Sequence, residues 1–315
     1  PFFSRWSDEL LMAFLDDLGP AALVTLACVS RVFYIFVHQQ SLWRRLTLEM
    51  FHGNFEFCHT WKDTFAREFI RQRGGDVAAF KPHVPLTACR LYSDLLYQSW
   101  LCAQVDIKEK WLSEENIDRV SARNLSVEDF RREYEEPGRP VIITDLVPSW
   151  PAYRKWTREY LLELALAKPA ATFRCGAVDM PLDKFYKYVD GAHEEAPMYL
   201  FDKNFMSTLP EIDGDYSVPP YFDEDLFSLL GDTRPDYRWI IAGPRKSGSF
   251  FHVDPNGTSA WNAVLRGRKK WIMLPPGHTP PGVFPSADGA EVTVPVSVME
   301  WMLNFYDAAR SGLAG

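Results

Sequence analysis

The sequence predicts an α+β chain of two parts: a helical unit at the N-terminus, then a double-sheet β barrel with helical additions. Three observations carry this expectation. Apolar residues recur at helical spacing from Trp6 to Phe69. The stretch "RQRGGDVAAFKPHVPLT", residues 71–87, then breaks the pattern with Gly-Gly, prolines and basic residues. From Asp106 onward, short β-rich runs alternate with Gly/Pro turns and occasional helices. The boundaries that follow are a helical domain over 1–70, a linker and connecting helix over 71–105, and a barrel domain over 106–315.

The first helix is signalled by Ser7 as N-cap, Asp8 and Glu9 in the first turn, and Leu10, Leu11, Phe14, Leu15 and Leu18 on one face. Gly19-Pro20 stops it and starts a second helix, which carries Leu23, Leu26, Ala27 and "VSRVF". A third follows near "SLWRRL". After the linker, Leu91, Leu95, Leu96 and Trp100 mark a connecting helix. In the second half, strands are expected at 140–146, 237–243, 258–265 and 269–275, with helices at "SVEDFRREYE" and "TREYLLELALA". No repeat or low-complexity segment interrupts them.

With 315 residues, 47% of them hydrophobic, the chain can bury a sizeable core. Its net charge of −8 opposes phosphate backbones and acidic membranes, so neither sequence-specific nucleic-acid binding nor a membrane role is expected. The five scattered cysteines (Cys28, Cys58, Cys89, Cys102, Cys175) contain no Cys-x-x-Cys pair, which argues for a reducing compartment, nuclear or cytoplasmic. His52, Cys58 and His59 in "HGNFEFCH" lack a second ligand pair and read as packing and surface. The run "LVTLACVSRVFYIFV" is broken by Ser30 and Arg31, so it is neither a membrane span nor a secretory signal. The chain begins with Pro1, and a preceding segment is expected.

Chemistry concentrates in "FHVDPNGTSAWNAVLRGRKKW", residues 251–271. On a strand, His252 and Asp254 would share one face and offer two corners of a metal site. A histidine from a distant strand would complete a two-histidine, one-carboxylate face for Fe(II). A His-x-Asp pair alone also arises by chance on surfaces and turns. Lys269, on the next strand, would face inward with Trp271 while Arg268 and Lys270 face out; an inward ammonium then needs an anion.

Two resemblances sharpen this reading. "SDELLMAFL", "LACVSRVF" and "SLWRRL" resemble the F-box pattern, with Trp6-Ser7 in place of its usual Leu-Pro. From Asn116 onward, "LSVEDFRREYEEPGRPVIITDL", "APMYLFDKNF", "VPPYFDEDLF", "YRWIIAGPRKSGSFFHVDPNGTSAWNAVLRGRKKWIMLP" and "EWMLNFY" are similar to the Jumonji C (JmjC) Fe(II)- and 2-oxoglutarate-dependent oxygenases. The subgroup is that of the arginine demethylases and lysyl hydroxylases. The implied fold is a helical F-box followed by a double-stranded β-helix, the jelly-roll or cupin-like JmjC barrel. The resemblance implies that His252 and Asp254 bind Fe(II) and that Lys269 pairs with the distal carboxylate of 2-oxoglutarate. Ser249 stands where the family has a threonine, and Asn262 and Tyr199 match co-substrate-contacting positions. Asn262 and Tyr199 also suit core positions satisfied by backbone.

The third family ligand, a histidine after a Pro-Gly segment and an aromatic pair, has no counterpart here. The histidines are His38, His52, His59, His83, His193, His252 and His278; only His278 follows the pair, and "PPGHTPPG" puts it in a loop. A chain truncated at its C-terminus is expected, the alternative being a lost site. The implied activity is hydroxylation of lysine, or demethylation of arginine or lysine, on a protein or peptide such as a histone tail. The rival reading is a non-catalytic adaptor whose F-box docks on the Skp subunit of a cullin ubiquitin ligase. A third is a cupin-like barrel using another divalent metal.

Overall fold

A computed structural model describes residues 5–84, 89–287 and 291–312. Seven helices open the chain: α1 (Asp8–Asp16), α2 (Pro20–Ala27), α3 (Arg31–Val37), α4 (Gln40–Phe51), α5 (Trp61–Gln72), α6 (Asp94–Gln104) and α7 (Glu109–Ser113). Ser7 caps α1 by accepting from the Leu10 N–H, and Pro20 starts α2, as the sequence indicates. "VSRVF" does not continue α2. Ser30 takes an extended conformation and accepts from the Phe33 N–H, so a capping serine ends one helix and begins α3. The segment after α5 holds one short 3₁₀ turn at Val77–Ala79, and 85–88 of the expected linker lie outside the described residues. The connecting helix is α6, capped by Ser93.

The second half begins with a parallel pair, β1 (Asp118–Ser121) against β2 (Val141–Thr144), bridged by α8 (Val127–Phe130) and a π-type turn at Arg131–Glu135. Helices α9 (Pro151–Lys155) and α10 (Arg158–Leu166) lead into β3 (Phe173–Cys175) and β4 (Val178–Met180). After α11 (Leu182–Gly191) come β5 (Leu200–Asp202), α12 (Phe205–Thr208) and β6 (Ile240–Ala242). These strands form an antiparallel sheet in the order β4-β3-β5-β6, with Leu200 opposite Ala242 and Phe201 opposite Ile241. A hairpin of β7 (Phe284–Pro285) and β8 (Val292–Thr293) precedes α13 (Val298–Asn304) and α14 (Tyr306–Gly312).

The principal core draws on both halves of the chain. Leu15, Leu23, Phe36, Leu42, Phe55 and Trp61 from the N-terminal helices join Phe173, Met180, Phe185, Tyr188 and Leu209 in one cluster. The seam is close: Gly53, at φ +81°, lies where a Cβ would stand 2.1 Å from the Asp179 carbonyl oxygen. Only a glycine permits both that conformation and that approach. A second cluster packs α6, α7, α13 and α14 around Trp111 and Trp301.

Expected strands 140–146 and 237–243 correspond to β2 and β6, but 258–265 and 269–275 form no ladder among the described residues. A strand is defined by a ladder of hydrogen bonds to a neighbour, and among the described residues these segments are in none. Their side chains still alternate: Trp261, Ala263 and Leu265 pack on the main core, while Asn262 and Val264 face away and are exposed. No helix among the described residues is long and apolar enough to cross a membrane.

Candidate metal and co-substrate site

The sheet presents two unlike faces. Leu200 and Asp202 of β5 are buried against the helical core, and Phe201 between them points the other way, as strand alternation requires. On that outer face Phe201 stacks on Trp239 at 5.8 Å and meets Tyr199 edge-on at 6.3 Å. Ile241 lies opposite Phe201 across the ladder. All four side chains remain partly or substantially open to solvent, and so do Phe250, Val264, Trp271 and Met273.

Chain leaving β6 carries the polar candidates. Tyr199 Oη, at the entry to β5, and Ser249 Oγ, on the loop after β6, are 2.9 Å apart and form a hydroxyl pair. Gly243 makes that packing possible, because a Cβ there would stand 2.7 Å from the Tyr199 Cβ and 2.2 Å from Ser247 Oγ. Nothing in the sequence separates this glycine from an ordinary turn residue beside Pro244.

His252 and Asp254 converge, with Nε2 and Oδ1 3.2 Å apart. They do so from an irregular segment rather than from a strand. Asp254 immediately precedes the turn at Pro255–Gly257, in which Asn256 has φ +60°. His252 Nδ1 lies 2.6 Å from the Phe250 carbonyl oxygen and must donate to it, while Nε2 faces the carboxylate; a ring carrying its one proton on Nδ1 would offer Nε2 to a metal. That is the tautomer a metal-ligating histidine needs, held by a backbone partner. Neutral imidazole and carboxylate together suit Fe(II), so these two residues fit as two donors of an iron site. Among the described residues no cluster of three or more His, Cys, Asp and Glu side chains is arranged to hold a metal ion. His278 sits in an exposed turn, its N–H donating to the Pro275 carbonyl.

Lys269 places its ammonium 4.2 Å from the centroid of the Trp271 ring, so the two side chains share a side as expected, but both are exposed rather than facing inward. Desolvation holds its pKa below the usual lysine range. Lys270 points away and donates to the Glu114 carbonyl. Asn262 is exposed on the same side of its segment as Val264. The structure therefore joins the candidates as pairs, His252 with Asp254 and Tyr199 with Ser249, while Lys269 is matched with an aromatic ring and Asn262 stands open.

Comparison with known proteins agrees with both halves of this arrangement. The profile of the cupin-like domain matches residues 127–286, and the F-box-like profile matches residues 8–49. The chain is 48% identical over 312 residues to the arginine-specific demethylase JMJ22 of Arabidopsis thaliana, covering 96% of this chain and 59% of that protein. It is 34% identical over 309 residues to the lysine-specific demethylase JMJ21 of the same plant, covering 95% of this chain and 32% of that protein. With the bifunctional arginine demethylase and lysyl-hydroxylase psr-1 of Caenorhabditis elegans it shares 40% identity over 171 residues, 51% of this chain and 42% of that protein. The chain thus spans well under two thirds of the length of each.

Proposed function

Because the chain belongs to the cupin-like (JmjC) domain family and carries an F-box-like unit before that domain, we propose that it is an Fe(II)- and 2-oxoglutarate-dependent oxygenase acting on basic side chains of proteins. The observation that carries this reading is the convergence of His252 Nε2 and Asp254 Oδ1 at 3.2 Å. The backbone-anchored Nδ1–H fixes the tautomer.

His252 and Asp254 would hold the iron. When bound, the iron and 2-oxoglutarate supply the oxidation: R–H, O2 and 2-oxoglutarate give R–OH, succinate and CO2. Lys269 supplies a cation for the distal carboxylate of the co-substrate, and the anion in turn relieves a partly desolvated ammonium. The Tyr199–Ser249 hydroxyl pair would offer donors to the same carboxylate, and the exposed Asn262 amide a further one. Phe201, Trp239 and Ile241, exposed on the outer face of the sheet, offer apolar surface beside Tyr199 for a substrate to cover.

The relatives' names speak of arginine demethylation, lysine demethylation and lysyl hydroxylation. All three begin by hydroxylating a carbon near a basic nitrogen; on an N-methyl group the product releases formaldehyde and the free amine. Basic protein tails, histone tails among them, are the substrate class proposed. The protein would act in the nucleus or cytoplasm, where its five unpaired cysteines stay reduced.

A second role accompanies this one. Leu10, Val24, Val29 and Val32 on the F-box-like helices are exposed, and they suit docking on a Skp-family adaptor. The test is succinate formation by the full-length protein with Fe(II) and O2, with and without lysine-containing or methylarginine peptides. Peptide-stimulated turnover is expected. An iron-loaded protein that leaves 2-oxoglutarate intact with every peptide would overturn the oxygenase in favour of the adaptor.

A further inference from the structure

Arg44 belongs to the "SLWRRL" segment of the F-box-like unit, yet its side chain turns inward to the second half of the chain. Its Nη1 donates to Glu194 Oε2 at 3.2 Å and to the Ala196 carbonyl at 2.9 Å. The other oxygen of Glu194 accepts from the Tyr188 hydroxyl at 2.7 Å, and that hydroxyl accepts in turn from the Met198 N–H at 2.8 Å. Tyr188 is fully buried, and burial together with Glu194 pushes its phenol far up, so it stays a neutral donor. The ring is held by Phe57 edge-on at 5.3 Å and by Trp61 at 5.5 Å, both from the N-terminal half.

The chain of bonds ends one residue from a candidate co-substrate contact. Met198 is buried, Tyr199 faces outward, and Leu200 is locked in the ladder opposite Ala242. Fixing the Met198 N–H on one side and Leu200 on the other leaves Tyr199 little choice of direction. Hydrogen bonds in series polarise one another, and in a water-poor seam each one stiffens the next.

We infer that Arg44 is a positioning residue: through Glu194 and Tyr188 it sets the main chain at Met198, and with it the placement of Tyr199 against Ser249. The F-box-like unit is then part of the scaffold of the co-substrate site rather than a tethered module. This inference rests on the oxygenase reading for its consequence, while the coupling itself does not.

The experiment compares the full-length wild type with Arg44→Ala, Arg44→Lys, Glu194→Gln and Tyr188→Phe. Arg45→Ala serves as the control, because Arg45 sits on the same helix and pairs with Asp16 and Glu49 instead. Amide hydrogen exchange is read over 196–202, and 2-oxoglutarate and Mn(II) affinities are read by calorimetry. Arg44→Ala, Glu194→Gln and Tyr188→Phe are expected to speed exchange over 196–202 about tenfold and to weaken 2-oxoglutarate several-fold. Mn(II) affinity stays unchanged, Arg44→Lys recovers part of the loss, and Arg45→Ala behaves as wild type. Unaltered exchange in the first three variants would overturn the coupling. Faster exchange with unaltered 2-oxoglutarate affinity would overturn the positioning role. Faster exchange in a protein that binds no 2-oxoglutarate even as wild type would support the coupling and sink the oxygenase reading instead.

Discussion

Replacing Gly243 by alanine places a methyl group 2.7 Å from the Tyr199 Cβ, 2.2 Å from Ser247 Oγ and 3.1 Å from the Ser247 Cβ. The two shorter contacts cannot be tolerated as they stand. Ser247 Oγ can rotate away, but it then loses its 2.6 Å bond to the Pro244 carbonyl, a loss of about 1 kcal/mol. The Tyr199 Cβ has no such freedom, because it is fixed to the main chain entering β5, and overpacking of that kind costs about 1–3 kcal/mol. The sum, roughly 2–4 kcal/mol, corresponds to a Tm lowered on the order of 3–6 °C for a chain of this size. If only 1.4 kcal/mol of it reaches the Tyr199–Ser249 pair, 2-oxoglutarate affinity falls about tenfold. Thermal denaturation and calorimetric titration with Mn(II) present measure the two effects separately. Adding Ser247→Ala removes the 2.2 Å contact together with the bond to Pro244 and leaves the contact to Tyr199, so the double variant should match Gly243→Ala in both stability and affinity. Wild-type affinity in Gly243→Ala would refute the assignment of Tyr199 to the co-substrate.

Three other outcomes are expected. Gly53→Ala at the seam adds a 2.1 Å overlap with a backbone oxygen to the strain of φ +81°, and should destabilise the whole chain by about 3 kcal/mol or more, seen as one lowered transition in denaturant. Two separate transitions, with only the N-terminal helices affected, would contradict the shared core. Lys269→Ala should weaken 2-oxoglutarate far more than Mn(II), and equal losses in calorimetry would remove the lysine from that role. His38 donates from Nδ1 to the Tyr34 carbonyl and accepts from Lys62 at Nε2, with the His83 ring 4.7 Å away and Asp63 nearby. Burial, opposed by the Tyr34 carbonyl and reinforced by Lys62, holds its pKa below 6.5 in the folded chain. The unfolded chain therefore takes up this proton first, so stability rises with pH through this window and is lost as pH falls from about 6.5 through the folded value. His38→Gln should flatten that part of the stability profile in chemical denaturation.

Much of the local structure was legible because its causes are local. Ser7, Gly19-Pro20 and the helical spacing of Leu11 and Leu15 mark α1 and α2 by capping and periodicity alone. The same period-two logic placed Lys269 with Trp271 and turned Lys270 away, whereas Asn262, which matched a co-substrate-contacting position, is exposed with Val264. Ser30 was misread because a serine inside an apolar run looks like a polar interruption until its oxygen is seen accepting from Phe33. His252 and Asp254 were paired for a partly wrong reason: they converge through the turn that follows and through the Phe250 carbonyl, not through a strand. The link from Arg44 to Glu194 spans 150 residues and carries no pattern that one sequence could disclose. Gly243 and Gly53 likewise owe their importance to atoms distant along the chain.

On the proposed function, His252 and Asp254 would hold iron for a 2-oxo acid to bind. Binding of 2-oxoglutarate to Fe(II) through its 2-oxo and carboxylate oxygens gives a visible charge-transfer absorption, so an anaerobic titration of the full-length protein reads that event without turnover. The band should form in the wild type, vanish in His252→Ala and Asp254→Ala, and require much more 2-oxoglutarate in Lys269→Ala. A band of wild-type strength in His252→Ala or Asp254→Ala would contradict the claim.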